Sequence, residues 1–216
     1  MNEVKLERMG ALAGVVFVGL VVTGALIGGS PPTPSDSSDV IVSYFRDNQD
    51  NLRVGSYLSG LALVPFLVFL GTVFGRLRRA EGGSGRVSGI ALTGGVATVA
   101  VAMIANSAGA YAALHPAASP AFFRLSTIMF GYVGFGIAVF VAATSMVVLR
   151  HAYLEAWFGW VGAVLSVAWL AGAAAVSSAN DTVNAIGFVT FLVWAVWIVA
   201  LSILLYNEPE APASQG

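Results

Sequence analysis

The 216 residues of this chain are strongly apolar: 57% are hydrophobic, only 10% are charged, and the mean hydropathy is +0.84. A soluble domain carries about 25% charged residues, and a chain of this length could not hide so much apolar surface from water. With a net charge of −1 and no Cys, the composition excludes a soluble enzyme, a disordered protein, a nucleic-acid binder, thiol chemistry and Cys-ligated metal centres. The sequence predicts an integral membrane protein.

Six segments are apolar enough to cross a membrane as helices, which takes about 20 residues each. They cover 10–29, 55–75, 88–113, 125–149, 156–178 and 184–206. None contains Asp, Glu, Lys, Arg or His, and continuous apolar runs indicate helices rather than the alternating strands of a barrel. We therefore predict an all-α integral membrane fold, a single six-transmembrane-helix bundle over 1–206. The polar, Pro- and Ala-rich tail, 207–216, is predicted to be disordered.

The distribution of positive charge predicts the orientation of the bundle. Seven of the ten Lys and Arg residues fall in segments that face one side, namely Lys5, Arg8, Arg76, Arg78, Arg79, Arg86 and Arg150. Cytoplasmic segments are enriched in Lys and Arg, so both termini are predicted to be cytoplasmic (N-in and C-in) in a bacterial inner cell membrane. Cleavage of the first apolar run as a signal peptide is the less favoured alternative, and it leaves the other five helices in the same orientation.

The first outer loop, 30–54, is the longest connection between the apolar segments. It opens with a stiff Pro-rich stretch, 30–34, and then Asp36 and Asp39 form an acidic start for a helix. Apolar side chains recur at helical spacing after it, at Val40, Ile41, Tyr44 and Phe45. We predict a short amphipathic helix that caps the bundle, and a recognition element is the alternative interpretation.

Three Gly-x-x-x-Gly motifs occur in the apolar segments, and a glycine at this spacing allows helices in lipid to approach closely. They are Gly10 with Gly14, Gly24 with Gly28, and Gly71 with Gly75. Packing within the chain is the favoured interpretation, and a homo-oligomer formed through these Gly-rich faces is the alternative.

The residues that common membrane chemistries need are missing or far apart. The two histidines, His115 and His151, fall at opposite membrane faces, about 30 Å apart, and cannot share a haem. The single lysine, Lys5, is not buried in a helix, so it cannot hold a retinal Schiff base. We expect no catalytic residues, no metal and no cofactor, and the sequence favours a non-enzymatic protein.

Polar residues do gather near the outer leaflet, and they form the candidate ligand site of this sequence, a shallow polar cup. The cup comprises Tyr57, Ser59, Asn106, Ser107, Tyr111, His115, Ser177 and Asp181. With no charge at the depth of Asn106, its ligand would be small and neutral, or lipidic. The favoured alternative for Asn106 is a hydrogen bond between helices.

Five segments of the chain resemble uncharacterised bacterial multi-pass membrane proteins of the domain-of-unknown-function kind: 34–39, 41–45, 55–59, 77–83 and 157–162. In that family the turn into the fifth helix reads Leu-Pro-(Arg/Lys)-Trp-(Leu)-Gly. The segment 154–159 keeps the Leu, Trp and Gly but lacks the Pro and the basic residue. The resemblance implies about six helices and no known reaction, so it assigns no catalytic residue.

These observations predict a multi-pass membrane protein with a structural, partner-binding or small-ligand-binding role. A transporter or channel component for a neutral or lipidic solute is the alternative, and a lipid-modifying enzyme is less favoured than either. The predicted partners are the lipid bilayer and another copy of the chain, with no nucleic acid and no specified protein partner.

Overall fold

A computed structural model describes residues 3–174 and 181–207 of the chain. In these residues seven α-helices follow one another without a strand. They are α1 (Glu3–Gly28), α2 (Ser38–Asp47), α3 (Gln49–Glu81), α4 (Arg86–Leu114), α5 (Ser119–His151), α6 (Ala156–Ala174) and α7 (Asp181–Asn207), with a short 3₁₀ turn at Pro116–Ala118 before α5. All except α2 are long and apolar enough to span a membrane. The prediction of an all-helical, multi-pass membrane protein is therefore confirmed.

Several helices extend beyond the apolar segments from which they were predicted. Helices α3 and α5 have 33 residues each, about 50 Å of helix, whereas the hydrocarbon core is about 30 Å thick. Hydropathy detects only the apolar part of a helix, so the polar first turn of α3 at Gln49 and its basic last turn at Arg79 escaped the prediction. The end of the predicted fifth segment, 175–178, and the predicted disordered residues 208–216 lie outside the described residues.

The six long helices form a closed ring. Each contacts the next along the chain, and α7 contacts α1, so the first and last helices close the ring. Consecutive helices joined by short connections run antiparallel, and they need no crossover to form such a ring. Helix α3 also contacts α5 across the interior.

Glycines mark the closest helix crossings in the ring. At the α1–α3 crossing, a Cβ placed on Gly24 would lie 3.0 Å from the carbonyl oxygen of Gly55. At the α4–α5 crossing, a Cβ on Gly94 would lie 2.7 Å from the backbone nitrogen of Phe140, and one on Gly136 would lie 2.9 Å from the carbonyl oxygen of Gly94. These backbones touch directly, which is the packing mode that lipid favours.

The three predicted Gly-x-x-x-Gly motifs divide into two groups. Gly10 faces Thr72 of α3, and Gly14 faces Ser202 of α7 and Phe69 of α3, so the first motif packs α1 within the chain as expected. Gly24 of the second motif packs against α3. Nothing lies within 4 Å of a Cβ placed on Gly71 or Gly75. The third motif therefore packs against nothing in residues 3–174 and 181–207. Its spacing specifies a smooth helix face but not the direction in which that face points.

Aromatic side chains fill the interior of the ring. The rings of Phe17 of α1 and Phe66 of α3 are tilted against each other with centroids 4.5 Å apart, and Trp194 of α7 lies edge-on to both, at 5.7 and 6.0 Å. Phe140 of α5 contacts Phe66 at 6.3 Å and Trp197 of α7 at 6.1 Å. All five side chains are at most 5% exposed. We call these five residues the aromatic core, and it joins four of the six spanning helices near mid-length.

Candidate functional site

One end of the bundle collects the basic residues, and we call it the basic end. Glu7 of α1 pairs with two arginines of α3, Arg76 at 3.0 Å and Arg79 at 2.8 Å. The Arg8 guanidinium lies over the ring of Tyr206, near the end of α7, at 5.7 Å. This end therefore contains the start of α1, the end of α3 and the end of α7. The first and last spanning helices thus have their outer ends on the same side of the bundle, which agrees with an even number of spans.

The turn between α3 and α4 lies at the basic end and is held by Glu81. Its carboxylate accepts hydrogen bonds from the backbone N–H groups of Val87 (2.9 Å) and Ser88 (2.7 Å) and from the Ser88 hydroxyl (2.6 Å). The first N–H groups of a helix have no partner within it, and a carboxylate there also interacts favourably with the helix dipole. Glycines with positive φ, Gly82 at 64° and Gly85 at 60°, let the chain reverse tightly enough for this contact.

A cleft of about 250 Å³ opens beside this turn, between the ends of α3 and α5 and the start of α4. Its lining residues are Glu81, Gly82, Ser84, Val87, Met146, Val147, Arg150 and His151. No sequence motif indicates this cleft, because its charged groups Glu81 and Arg150 lie 69 residues apart in the chain. The four-residue spacing of His151 and Glu155 predicts that the two side chains lie one helical turn apart and form an ion pair. However, α5 ends at His151, and Ala152 has a left-handed φ of 48°. Glu155 therefore does not follow His151 by one helical turn.

At the opposite end, α2 packs on the bundle. Ile41 and Phe45 are buried together with Ala112 and Ala113 at the end of α4, and Phe45 meets Phe123 of α5 at 5.6 Å. Ser37 is the N-cap of α2, since its hydroxyl accepts from the Val40 N–H at 3.4 Å. Asp36, which the sequence suggested for the start of the helix, instead accepts from the Thr33 N–H at 2.7 Å.

Side-chain hydrogen bonds hold the segment around α2 in place. Arg124 of α5 donates to the carbonyl oxygens of Pro34 (2.9 Å) and Asp36 (3.0 Å). Gln49 donates to the carbonyl oxygen of Ala113 at 3.0 Å, and the Tyr44 hydroxyl donates to that of Gly28 at 2.6 Å. Burial raises the pKa of the Tyr44 phenol above its ordinary value. Nothing in the sequence marks the two acceptors of Arg124.

Asn106, the deepest residue of the predicted polar cup, contacts a neighbouring helix. Its amide N–H donates to the carbonyl oxygen of Ser56 at 3.0 Å and lies 3.3 Å from where a Cβ of Gly60 would be. Both partners belong to α3, so Asn106 connects α4 to α3. This contact is the interhelical hydrogen bond that was the favoured alternative to a ligand-binding role for Asn106.

The other described cup residues have different neighbours. Ser59 faces α1, with its hydroxyl 3.1 Å from the position of a Cβ on Gly24, and Ser107 donates to the carbonyl oxygen of Met103 in its own helix at 2.8 Å. The Tyr111 ring lies 4.4 Å from that of His115 and 4.3 Å from that of Phe122. Tyr57 is 68% exposed. Ser177 lies outside the described residues, and Asp181 begins α7.

Two further sources of functional information are candidate metal centres and similar proteins. In the described part of the chain, no group of three His, Asp or Glu side chains could hold a metal ion. Comparison with family models, curated proteins and solved structures finds no match.

Replacement of Asn106 by leucine is expected to lower the free energy of unfolding by about 0.6–2 kcal/mol, the contribution of one interhelical hydrogen bond in a membrane protein. Thermal unfolding in detergent measures the change. Ser107→Ala is the matched control, since that hydroxyl is exposed and bonds only within α4. Equal stability of the two variants would contradict a stabilising interhelical bond and would favour the ligand-binding role of Asn106 in the predicted cup.

Proposed function

We propose that this chain is a structural, partner-binding protein of a bacterial inner membrane, with both termini in the cytoplasm. The observation that carries the proposal is the aromatic core. Five large rings from α1, α3, α5 and α7 occupy the middle of the helix ring, where a transporter or channel would need a polar path. A bundle filled in this way offers its surfaces, rather than its interior, to other molecules.

The surfaces support the same proposal. Exposed apolar side chains such as Val64, Val68 and Val196 face outward from the ring, as a lipid-embedded protein requires. The face of α3 that carries Gly71 and Gly75 is open, and close helix approach in lipid uses such faces. A homo-oligomer through this face is part of the proposal, and the packed segment around α2 serves as a cap on the outer side.

Flux measurements separate this function from the transport alternative. The full-length protein, reconstituted in phospholipid vesicles, should leave the permeability to small neutral solutes such as glycerol equal to that of protein-free vesicles, because the aromatic core blocks a continuous polar path. Light scattering after an osmotic step measures the flux, with a pore-forming peptide as the positive control. Saturable flux above the protein-free rate would overturn the proposal in favour of the transporter.

A further inference from the structure

The cleft at the basic end combines opposite charges with an apolar wall. The Glu81 carboxylate and the guanidinium and imidazole groups of Arg150 and His151 line it together. Met146 lines it one helical turn, about 6 Å, further along α5 from the end of the helix. Charged groups at a helix end and apolar side chains one turn below them match the boundary between lipid headgroups and hydrocarbon.

Both kinds of charge in the cleft retain unused hydrogen-bonding capacity. A carboxylate has about four lone-pair sites, and Glu81 uses three of them on the first turn of α4. A guanidinium has five N–H donors, and no carboxylate within residues 3–174 or 181–207 forms an ion pair with Arg150. The cleft can therefore accept one further cationic N–H donor and bind one anionic oxygen group.

We infer that the cleft binds the headgroup of an aminophospholipid, a lipid with a phosphodiester and a primary ammonium group. The phosphate sits on Arg150, with His151 and the Ser84 hydroxyl beside it, and the ammonium donates to Glu81. The first part of the lipid tail lies along Met146. The volume of about 250 Å³ is below the roughly 300–1,000 Å³ of a drug-sized pocket, so it suits a headgroup and not a whole lipid.

The charges discriminate among common phospholipids. A choline headgroup has the same two charges, but its quaternary ammonium has no N–H to donate to Glu81. A glycerol headgroup has the phosphate but no cation, and it places a net negative charge beside the Glu81 carboxylate. Phosphatidylethanolamine should therefore bind more tightly than phosphatidylcholine and phosphatidylglycerol. This inference goes beyond the proposed function and holds for a transporter as well as for a structural protein.

Native mass spectrometry of the full-length protein in detergent tests the inference. The protein is titrated with phosphatidylethanolamine, phosphatidylcholine and phosphatidylglycerol of identical acyl chains. We expect phosphatidylethanolamine to bind about tenfold more tightly than phosphatidylcholine, because one hydrogen bond between charged groups is lost with choline. Soluble phosphoethanolamine is added as a competitor and should displace the lipid only at much higher concentration, since it cannot contact Met146.

Two variants and one control assign the binding to the cleft. Arg150→Gln should weaken the binding of all three lipids about tenfold or more, since it removes the phosphate partner. Glu81→Gln should remove the preference for phosphatidylethanolamine over phosphatidylcholine, since it removes the negative charge. Its amide oxygen can still accept from Ser88, whereas its NH2 group takes the place of the oxygen that accepts from the Val87 N–H. Arg46→Gln, an exposed arginine in α2 at the opposite end, should change nothing.

Three results would overturn the inference. The first is binding of phosphatidylglycerol that is as tight as that of phosphatidylethanolamine or tighter. The second is lipid binding that Arg150→Gln leaves unchanged, since such binding would indicate unspecific lipid around the protein. Arg150 is exposed and forms no part of the Glu81 contact with α4, so this variant is informative even if Glu81→Gln fails to fold. The third is displacement by phosphoethanolamine at the same concentration as the lipid, which would make the occupant a water-soluble compound.

Discussion

Replacement of Gly94 by alanine should destabilise the bundle by about 1–3 kcal/mol, the usual cost of overpacking. A methyl group on Gly94 would lie 2.7 Å from the backbone nitrogen of Phe140 and 3.0 Å from the carbonyl oxygen of Gly136. Neither is the end of a flexible side chain, so α4 and α5 must move apart. In a helix interior alanine is otherwise about 1 kcal/mol more favourable than glycine, so any net loss arises from the crossing. Thermal unfolding in detergent or denaturation in SDS measures it.

Gly71→Ala is the matched control, because nothing lies within 4 Å of the position of its added methyl group. The stability of its monomer should equal that of the parent monomer or exceed it slightly. Equal effects at Gly94 and Gly71 would contradict the α4–α5 crossing described above. A fall in self-association of Gly71→Ala without a fall in the stability of the monomer would instead support a homo-oligomer through this face of α3.

The spanning helices could be predicted because the physics of the bilayer acts on composition alone. A run of about 20 apolar residues has one stable form in lipid. All six predicted runs coincide with described helices, apart from Gly29, which follows the end of α1, and 175–178, which lie outside the described residues. The ends of the helices are harder to predict, because a helix continues into water wherever the backbone groups of its last turns find hydrogen-bond partners. Thr72 and Gly75 are the last part of the predicted segment 55–75, but they lie well inside α3. The helix itself continues to Glu81, a polar residue that also belongs to the turn.

The neighbours of each helix face could not be predicted from the same information. Gly94 and Gly71 are both glycines inside an apolar run. A Cβ on Gly94 would meet a backbone, whereas a Cβ on Gly71 would have no atom of the described residues within 4 Å. The difference depends on the rotation of each helix about its own axis. That rotation is set by contacts such as Phe66 with Phe140 in the aromatic core, which join residues far apart in the sequence.

The candidate sites show the same limit. Polar residues of similar depth suggested one cup, but depth does not specify direction. Ser59 faces α1, Asn106 faces α3, and Tyr111 lies against Phe122 of α5. The cup stays a prediction. The cleft at the basic end is lined by Glu81 of α3 and Arg150 of α5, and the packing of α3, α4 and α5 brings these two residues to one place.

Labelling of single cysteines should show an all-or-none difference between the two ends of the bundle. We expect Ser38→Cys to react with a membrane-impermeant maleimide in intact cells and Ser84→Cys to be protected until the cells are opened. The physical reason is the charge asymmetry, because the end that contains Ser84 also has the basic cluster Arg76, Arg78, Arg79 and Arg86, and such segments are retained in the cytoplasm.

The two positions are matched in exposure and in the number of thiols. The chain has no natural Cys, so each variant has one thiol. Both serines are exposed, Ser38 at the start of α2 and Ser84 in the turn after α3, so burial does not limit the reaction at either. After the cells are opened both should therefore label to the same extent. Labelling of Ser84→Cys alone in intact cells would reverse the proposed orientation, and it would place α2 and Arg124 on the cytoplasmic side.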